Sequence, residues 1–133
     1  MAKFLKTYEM LFIKAKEDYI AAKYLLDGFH NHNLELNLEI IFFHFQQSAE
    51  KLIKCLLDYN NIKFPHYHNI REMINIAHDN NIDINFKDEL SQLTQYAVEG
   101  RYAIIHDDLD DTNTYIEILD SLIKYIKGKI DAE

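Results

Sequence analysis

Glycine, proline, cysteine and tryptophan are scarce in this sequence. Its 133 residues hold three Gly, one Pro, one Cys and no Trp. A β-sandwich or barrel turns every ~8–12 residues, mostly on Gly, Pro, Asn and Asp, so the shortage argues against an all-β chain and favours helices. A single thiol, Cys55, permits neither an internal disulfide nor a Cys-x-x-Cys clamp, and its place in an apolar stretch fits a reducing cytosol. Positive charge is short as well. Fourteen Lys and Arg face twenty-two Asp and Glu for a net charge of −8, and Arg71 and Arg101 are the only arginines. A broad basic footprint for nucleic acid is missing, so any contact with RNA or a nucleotide must be local or borrow charge from a partner. No stretch approaches the ~18 apolar residues of a membrane span, and Met1–Ile13 has no uninterrupted apolar signal core. The expectation is a cytoplasmic protein without membrane contact.

What is present is helical periodicity. With 48% hydrophobic and 27% charged residues the chain has the balance of a folded domain, and its length suits one domain over 1–133. Leu5, Tyr8, Leu11, Phe12, Ala15, Tyr19, Ala22, Leu25 and Leu26 recur in steps of three and four, the stripe of an amphipathic helix, which stops at Gly28 and Asn31-His32-Asn33. A second stripe, Leu38, Ile41, Phe42, Phe45, Ala49, Leu52, Ile53, Leu56 and Leu57, predicts a helix from about Leu34 to Tyr59. About 26 residues span ~39 Å, which makes it the central helix. Asn60-Asn61 and Phe64-Pro65-His66 break the pattern. A shorter helix follows, with Ile70, Met73, Ile74 and Ala77 inward. A fourth stripe runs through Phe86, Leu90, Leu93, Ala97, Gly100 and Ile104, and a fifth through Ile116, Leu119, Ile123, Ile126 and Ile130. The fifth helix is expected to be capped at Thr114, Asp111 or Thr112. Short connections between long helices predict an all-α, antiparallel up-and-down four-helix bundle with a short additional helix.

Bundles often carry di-iron sites, but none of the ten Glu has a His three residues on, and His-Glu-x-x-His is absent. No metal and no cofactor are expected. His66-Tyr67-His68 follows Pro65 and reads first as a polar loop leading into a helix, and only second as a catalytic or metal cluster. Asp18 is more informative. It falls in the 11, 15, 18, 22, 25 series, so its carboxylate points toward or beside the apolar face, where an unpaired charge is costly. Either it sits at an edge and reaches water, or it orients a catalytic Arg or His.

Phe43-His44-Phe45-Gln46-Gln47-Ser48-Ala49-Glu50-Lys51-Leu52-Ile53-Lys54 resembles the second-helix signature of the HEPN family, the higher eukaryote and prokaryote nucleotide-binding domains. Glu17 to Leu26 is similar to that family's first helix, His68-Asn69-Ile70 to the start of its third, and Gly100-Arg101-Tyr102 to the end of its fourth. The resemblance covers nearly the whole chain and points to the prokaryotic branch that works with minimal nucleotidyltransferases. It implies a ribonuclease motif, Arg followed after four to six residues by His, at Arg101 and His106. That spacing is expected about 0.3 times by chance here, so position rather than spacing singles out the pair. Arg71 and His78 fit the longest spacing but lie on the short third helix. In the ribonuclease reading Asp18 or Glu50 is the acid that orients the catalytic groups, and Tyr102, Gln47, Glu50 and Lys51 are the candidate substrate-binding residues.

Metal-free RNA cleavage needs a proton-transfer group and a cation for the phosphorane charge. Imidazole supplies the first, and guanidinium, with its fixed fork to phosphate oxygens, the second. Five residues at ~100° each set Arg101 and His106 about 140° apart on a regular helix. They converge if the helix ends between them or if a second subunit completes the site, and the resemblance implies a homodimer with paired motifs facing one cleft. Three features weigh toward a non-catalytic module that binds a nucleotide or docks a nucleotidyltransferase. Tyr102 stands where the nuclease branch usually has a small polar residue. Asp107, Asp108, Asp110 and Asp111 crowd the His106 side, and Asp108 replaces a tyrosine that is modified in some relatives. In that alternative Arg101 pairs with Asp18 or Glu50, and His106 merely ends a helix.

Overall fold

A computed structural model of the chain describes residues 5–36, 38–64, 69–96 and 109–132, with the backbone alone for 109–111. Within them lie five helices and no strand. They are α1 (Thr7–Asn31), α2 (Leu38–Tyr59), α3 (Ile70–Asp79), α4 (Lys87–Gln92), continued by a 3₁₀ turn over Leu93–Tyr96, and α5 (Leu109–Asp131). The architecture is the expected all-α antiparallel bundle. α2 is its axis, because α1, α3, the 3₁₀ turn and α5 all pack against it. Ile41, Phe42, Phe45, Ala49, Leu52, Ile53, Leu56 and Leu57 are all buried, as the periodicity of the second stripe predicts.

Aromatic rings join the elements around α2. Phe42 stacks on Tyr96 with centroids 5.1 Å apart and meets Tyr115 edge-on at 5.7 Å, which ties α2 to the 3₁₀ turn and α5. Tyrosine hydroxyls add long-range hydrogen bonds. Tyr19 donates to the Ile116 carbonyl at 3.3 Å, and Tyr115 donates to that of Glu89 at 2.9 Å.

The glycine shortage is met by asparagine. Asn33, Asn61 and Asn81, one just past each of the first three helices, have φ of 53°, 58° and 63°. Asn tolerates this left-handed conformation because its short side chain bonds locally. At the end of α2, Ile62 N–H reaches the Leu57 carbonyl at 2.9 Å and Asn61 N–H that of Asp58 at 3.0 Å. At the end of α3, Ile82 and Asn81 repeat the pattern on Ala77 and His78. Both ends therefore carry the paired bonds of a Schellman exit.

Three expectations are corrected. α2 starts at Leu38 rather than near Leu34, because Asn33 takes a left-handed conformation just past α1 and residues 33–36 are not helical. The fourth stripe is not one helix from Phe86. Phe86 precedes α4 at φ 65° with half its surface exposed, while Leu90 and Leu93 alone carry the buried stripe across a change from α to 3₁₀ winding. Ala97, Gly100 and Ile104 lie outside the described residues. Finally, α5 begins at Leu109, so Asp111, Thr112 and Thr114 are inside it and none is its cap. Its buried face is Tyr115, Ile118, Leu119, Leu122 and Ile126, turned slightly from the expected stripe, with Ile116, Ile123 and Ile130 partly buried at its edge.

Candidate functional site

The α1–α2 contact is close because small residues line it. Ala15, Ala22 and Ala49 are fully buried, and the buried Ser48 hydroxyl donates across to the Ala15 carbonyl at 2.8 Å. Within Gln47 to Lys51 the roles therefore divide: Ser48 and Ala49 are structural, and the polar neighbours on either side carry what chemistry there is.

One turn beyond that contact, Asp18 of α1 meets two residues of α2. Its Oδ1 lies 3.1 Å from His44 Nδ1, and its Oδ2 accepts from Lys51 Nζ at 2.5 Å. His44 and Lys51 are seven residues apart, two helical turns, and so share a face. All three side chains are about one-sixth to one-quarter exposed, so the cluster is half-sheltered and reachable from water. Burial pushes the Asp18 carboxyl up, but the hydrogen bonds from His44 and Lys51 and their charges outweigh it and leave the group below its ordinary value. With Nδ1 held by a carboxylate, the imidazole keeps a fixed orientation.

On the other side of α2, Glu50 is buried, with Lys54 Nζ 3.6 Å from its Oε1. Lys54 also lies over the Phe64 ring at 5.9 Å. Gln47 is partly exposed and donates to Gln46 Oε1 at 2.6 Å, while the buried Gln46 Nε2 has no hydrogen-bond partner among the described residues. Of the expected substrate-binding residues, Gln47 and Lys51 reach the surface of α2 and Glu50 does not. Arg101, His106 and Tyr102 lie outside the described residues, as do His66, Tyr67 and His68.

The competing pair Arg71 and His78 is occupied elsewhere. Arg71 Nη2 holds Asp88 Oδ1 at 2.9 Å on the surface, and His78 Nε2 lies 3.3 Å from the Ile84 amide. His44 is the site residue that sequence reasoning left out. Its signal was its two-turn spacing from Lys51, together with an Asp18 already short of a cationic partner. Among the described residues no group of three His, Cys, Asp or Glu is placed to hold a metal ion, and no helix is long and apolar enough to cross a membrane.

The order of helices, the small-residue contact and the polar face from His44 to Lys51 together make a pattern that can be compared with known proteins. The family model described as HEPN domain matches residues 8–129. The chain belongs to the HEPN domain family. Its fold is also that of a solved crystal structure described as an archaeal HEPN homologue. The two are 22% identical over 95% of this chain and 99% of that one, with a TM-score of 0.67. No curated protein matches the chain significantly. The segment from Phe43 to Lys54 that resembles the family's second helix lies on α2, with Asp18 from α1 facing it.

Proposed function

We propose that this HEPN domain is a toxin-type, metal-independent ribonuclease that acts as a homodimer and is restrained by a minimal nucleotidyltransferase. In this reading His106 takes the proton of an RNA 2′-hydroxyl, whose oxygen then bonds to phosphorus while the bond to the 5′-oxygen breaks. The protonated imidazole returns the proton to that leaving oxygen, so the products are a 2′,3′-cyclic phosphate and a 5′-hydroxyl. Arg101 stabilises the phosphorane charge. The observation that supports the reading is the Asp18–His44–Lys51 cluster, a carboxylate-held imidazole and an ammonium side by side on a surface that water reaches. Such a cluster offers RNA a phosphate contact at Lys51 and a second imidazole at His44 in a protein whose net charge is negative.

The test is cleavage of total RNA by the purified protein in excess chelator. Activity should survive the chelator, vanish in Arg101→Ala and His106→Ala, and fall without vanishing in Lys51→Ala. Equal cleavage by all the proteins would identify a contaminant and end this reading.

A second reading, a non-catalytic module that binds a nucleotide or docks the nucleotidyltransferase, draws on the same cluster. Both Asp18 oxygens are already engaged by Lys51 and His44, as in a surface built to be stable rather than to orient a distant arginine. It predicts a tight complex with the nucleotidyltransferase and intact RNA.

A further inference from the structure

α4 packs on α3 and the 3₁₀ turn, whereas α5 packs on α2 and α1. Tyr115 joins the two helices across the gap, its hydroxyl donating to the Glu89 carbonyl at 2.9 Å. One turn further along α5, a cavity of about 140 Å³ lies between that helix and the connection from α3 to α4. Its floor is apolar, since the lining residues Ile84, Leu90, Ile118 and Leu122 are all buried. Its outer wall is aromatic. Phe86 and Tyr125 line it with 50% and 40% of their surface exposed. The connection is held in place from below, where the Ile84 amide lies 3.3 Å from His78 Nε2.

Phe86 is the second observation that points to a ligand. A bulky side chain at φ 65° is a true backbone outlier, and such strain persists where a site needs it. Half of the side chain is in solvent, so burial does not repay the strain; what the ring does provide is one wall of the cavity. Size and charge then narrow the occupant. A dry cavity of roughly 150 Å³ holds benzene, so one six-membered ring suits this one and a fused pair of rings overfills it. Asp83 stands at the rim as an exposed carboxylate. Asp88 of α4 is engaged by Arg71 and Asp120 of α5 by Lys124, but Asp83 has no such partner among the described residues. Lys129 lies over the Tyr125 ring, 5.1 Å from its centroid, and is not paired with Asp83.

We propose that this cavity binds a small aromatic amine, with its single ring against Phe86 and Tyr125 over the apolar floor and its ammonium group at the Asp83 carboxylate. Aromatic faces and a carboxylate both favour a cation over an anion. A purine nucleotide fails on both counts, with two fused rings and a phosphate that Asp83 repels. The site shares no residue with the Asp18–His44–Lys51 cluster and requires no nuclease activity.

Titration of the full chain with benzylamine, benzyl alcohol and benzoate, followed by amide ¹H–¹⁵N correlation spectra, tests the site. Benzylamine should shift the Ile84, Phe86, Ser121 and Tyr125 amides saturably. Benzyl alcohol, of the same shape without the charge, should bind about fivefold more weakly, and benzoate more weakly still. Asp83→Asn should bring benzylamine down to the level of benzyl alcohol. Phe86→Asn and Tyr125→Ala should each weaken both ligands at least about tenfold, while thermal unfolding shows that the variants remain folded. Both side chains are far enough into solvent for the fold to survive their loss. Absence of saturable shifts, shifts confined to other residues, or binding indifferent to both Phe86→Asn and Tyr125→Ala overturns the site. Benzoate binding as tightly as benzylamine, or benzylamine binding indifferent to Asp83→Asn, overturns the assignment to an amine.

Discussion

Asp18 Oδ1 stands 3.1 Å from His44 Nδ1 across the α1–α2 contact, while its other oxygen accepts from Lys51. One carboxylate thus fixes two side chains of the neighbouring helix, and its ionisation becomes part of how the bundle holds together. Because the folded carboxyl titrates below its ordinary value of ~3.9, the unfolded chain takes up the proton first as pH falls. The stabilisation is complete above the ordinary value and drains away as pH drops through the lower, folded one.

Asp18→Asn is therefore expected to destabilise the protein by about 1–3 kcal/mol at neutral pH, the range for a charged hydrogen bond. Urea unfolding at a series of pH values checks this. The gap between wild type and variant should be constant near neutrality and close as the solution becomes more acid than pH ~4. A gap that widens in acid contradicts the assignment.

Gln46 has the opposite character. Its Nε2 is buried without a hydrogen-bond partner among the described residues, and an unsatisfied buried donor costs roughly 1–3 kcal/mol. Gln46→Met, of similar length and without that donor, should raise the unfolding free energy measured in urea by about 1 kcal/mol, and an equal loss would show that the amide is needed.

Phe86 sits at φ 65° with half its side chain in solvent. A β-carbon in that region costs ~1–2 kcal/mol, and asparagine escapes part of it. Phe86→Asn should raise the thermal midpoint, with a gain of about 0.5–1 kcal/mol.

Cys55 is fully buried, and burial, with help from the charge of Asp58, pushes its thiol up to about 12. At pH 8 roughly one thiol in ten thousand is then ionised, so Ellman's reagent should be inert toward the native protein and react fully in urea. Prompt native labelling would show that α2 opens locally.

How far the residues alone reveal this depends on the kind of feature. The inner faces of α1, α2 and α3 are legible because each apolar stripe keeps a helical period along its length, and Ile70, Met73, Ile74 and Ala77 are all buried as expected. The helix exits are legible for a related reason, since Asn61 and Asn81 belong to polar clusters at the ends of those stripes. The α4 region is not. A period of 3.6 over Phe86, Leu90 and Leu93 cannot reveal that the chain enters through a left-handed Phe86 and then tightens into 3₁₀ winding. For the site, Asp18 stood out as a carboxylate next to an apolar face, but its partners could not be read locally, because His44 and Lys51 are 26 and 33 residues away. Only the packing of α1 on α2 selects them.

Since α2 touches α1, α3, the 3₁₀ turn and α5, it cannot open while they stay folded. Amide hydrogens at Ala49, Leu52 and Ile53 should therefore exchange only through whole-molecule unfolding, with one common protection factor. Those in the last turn of α5, where Gly128 makes no contact through an added β-carbon, should exchange by fraying. The slowest-exchanging amides would thus measure the stability of the entire domain without any denaturant.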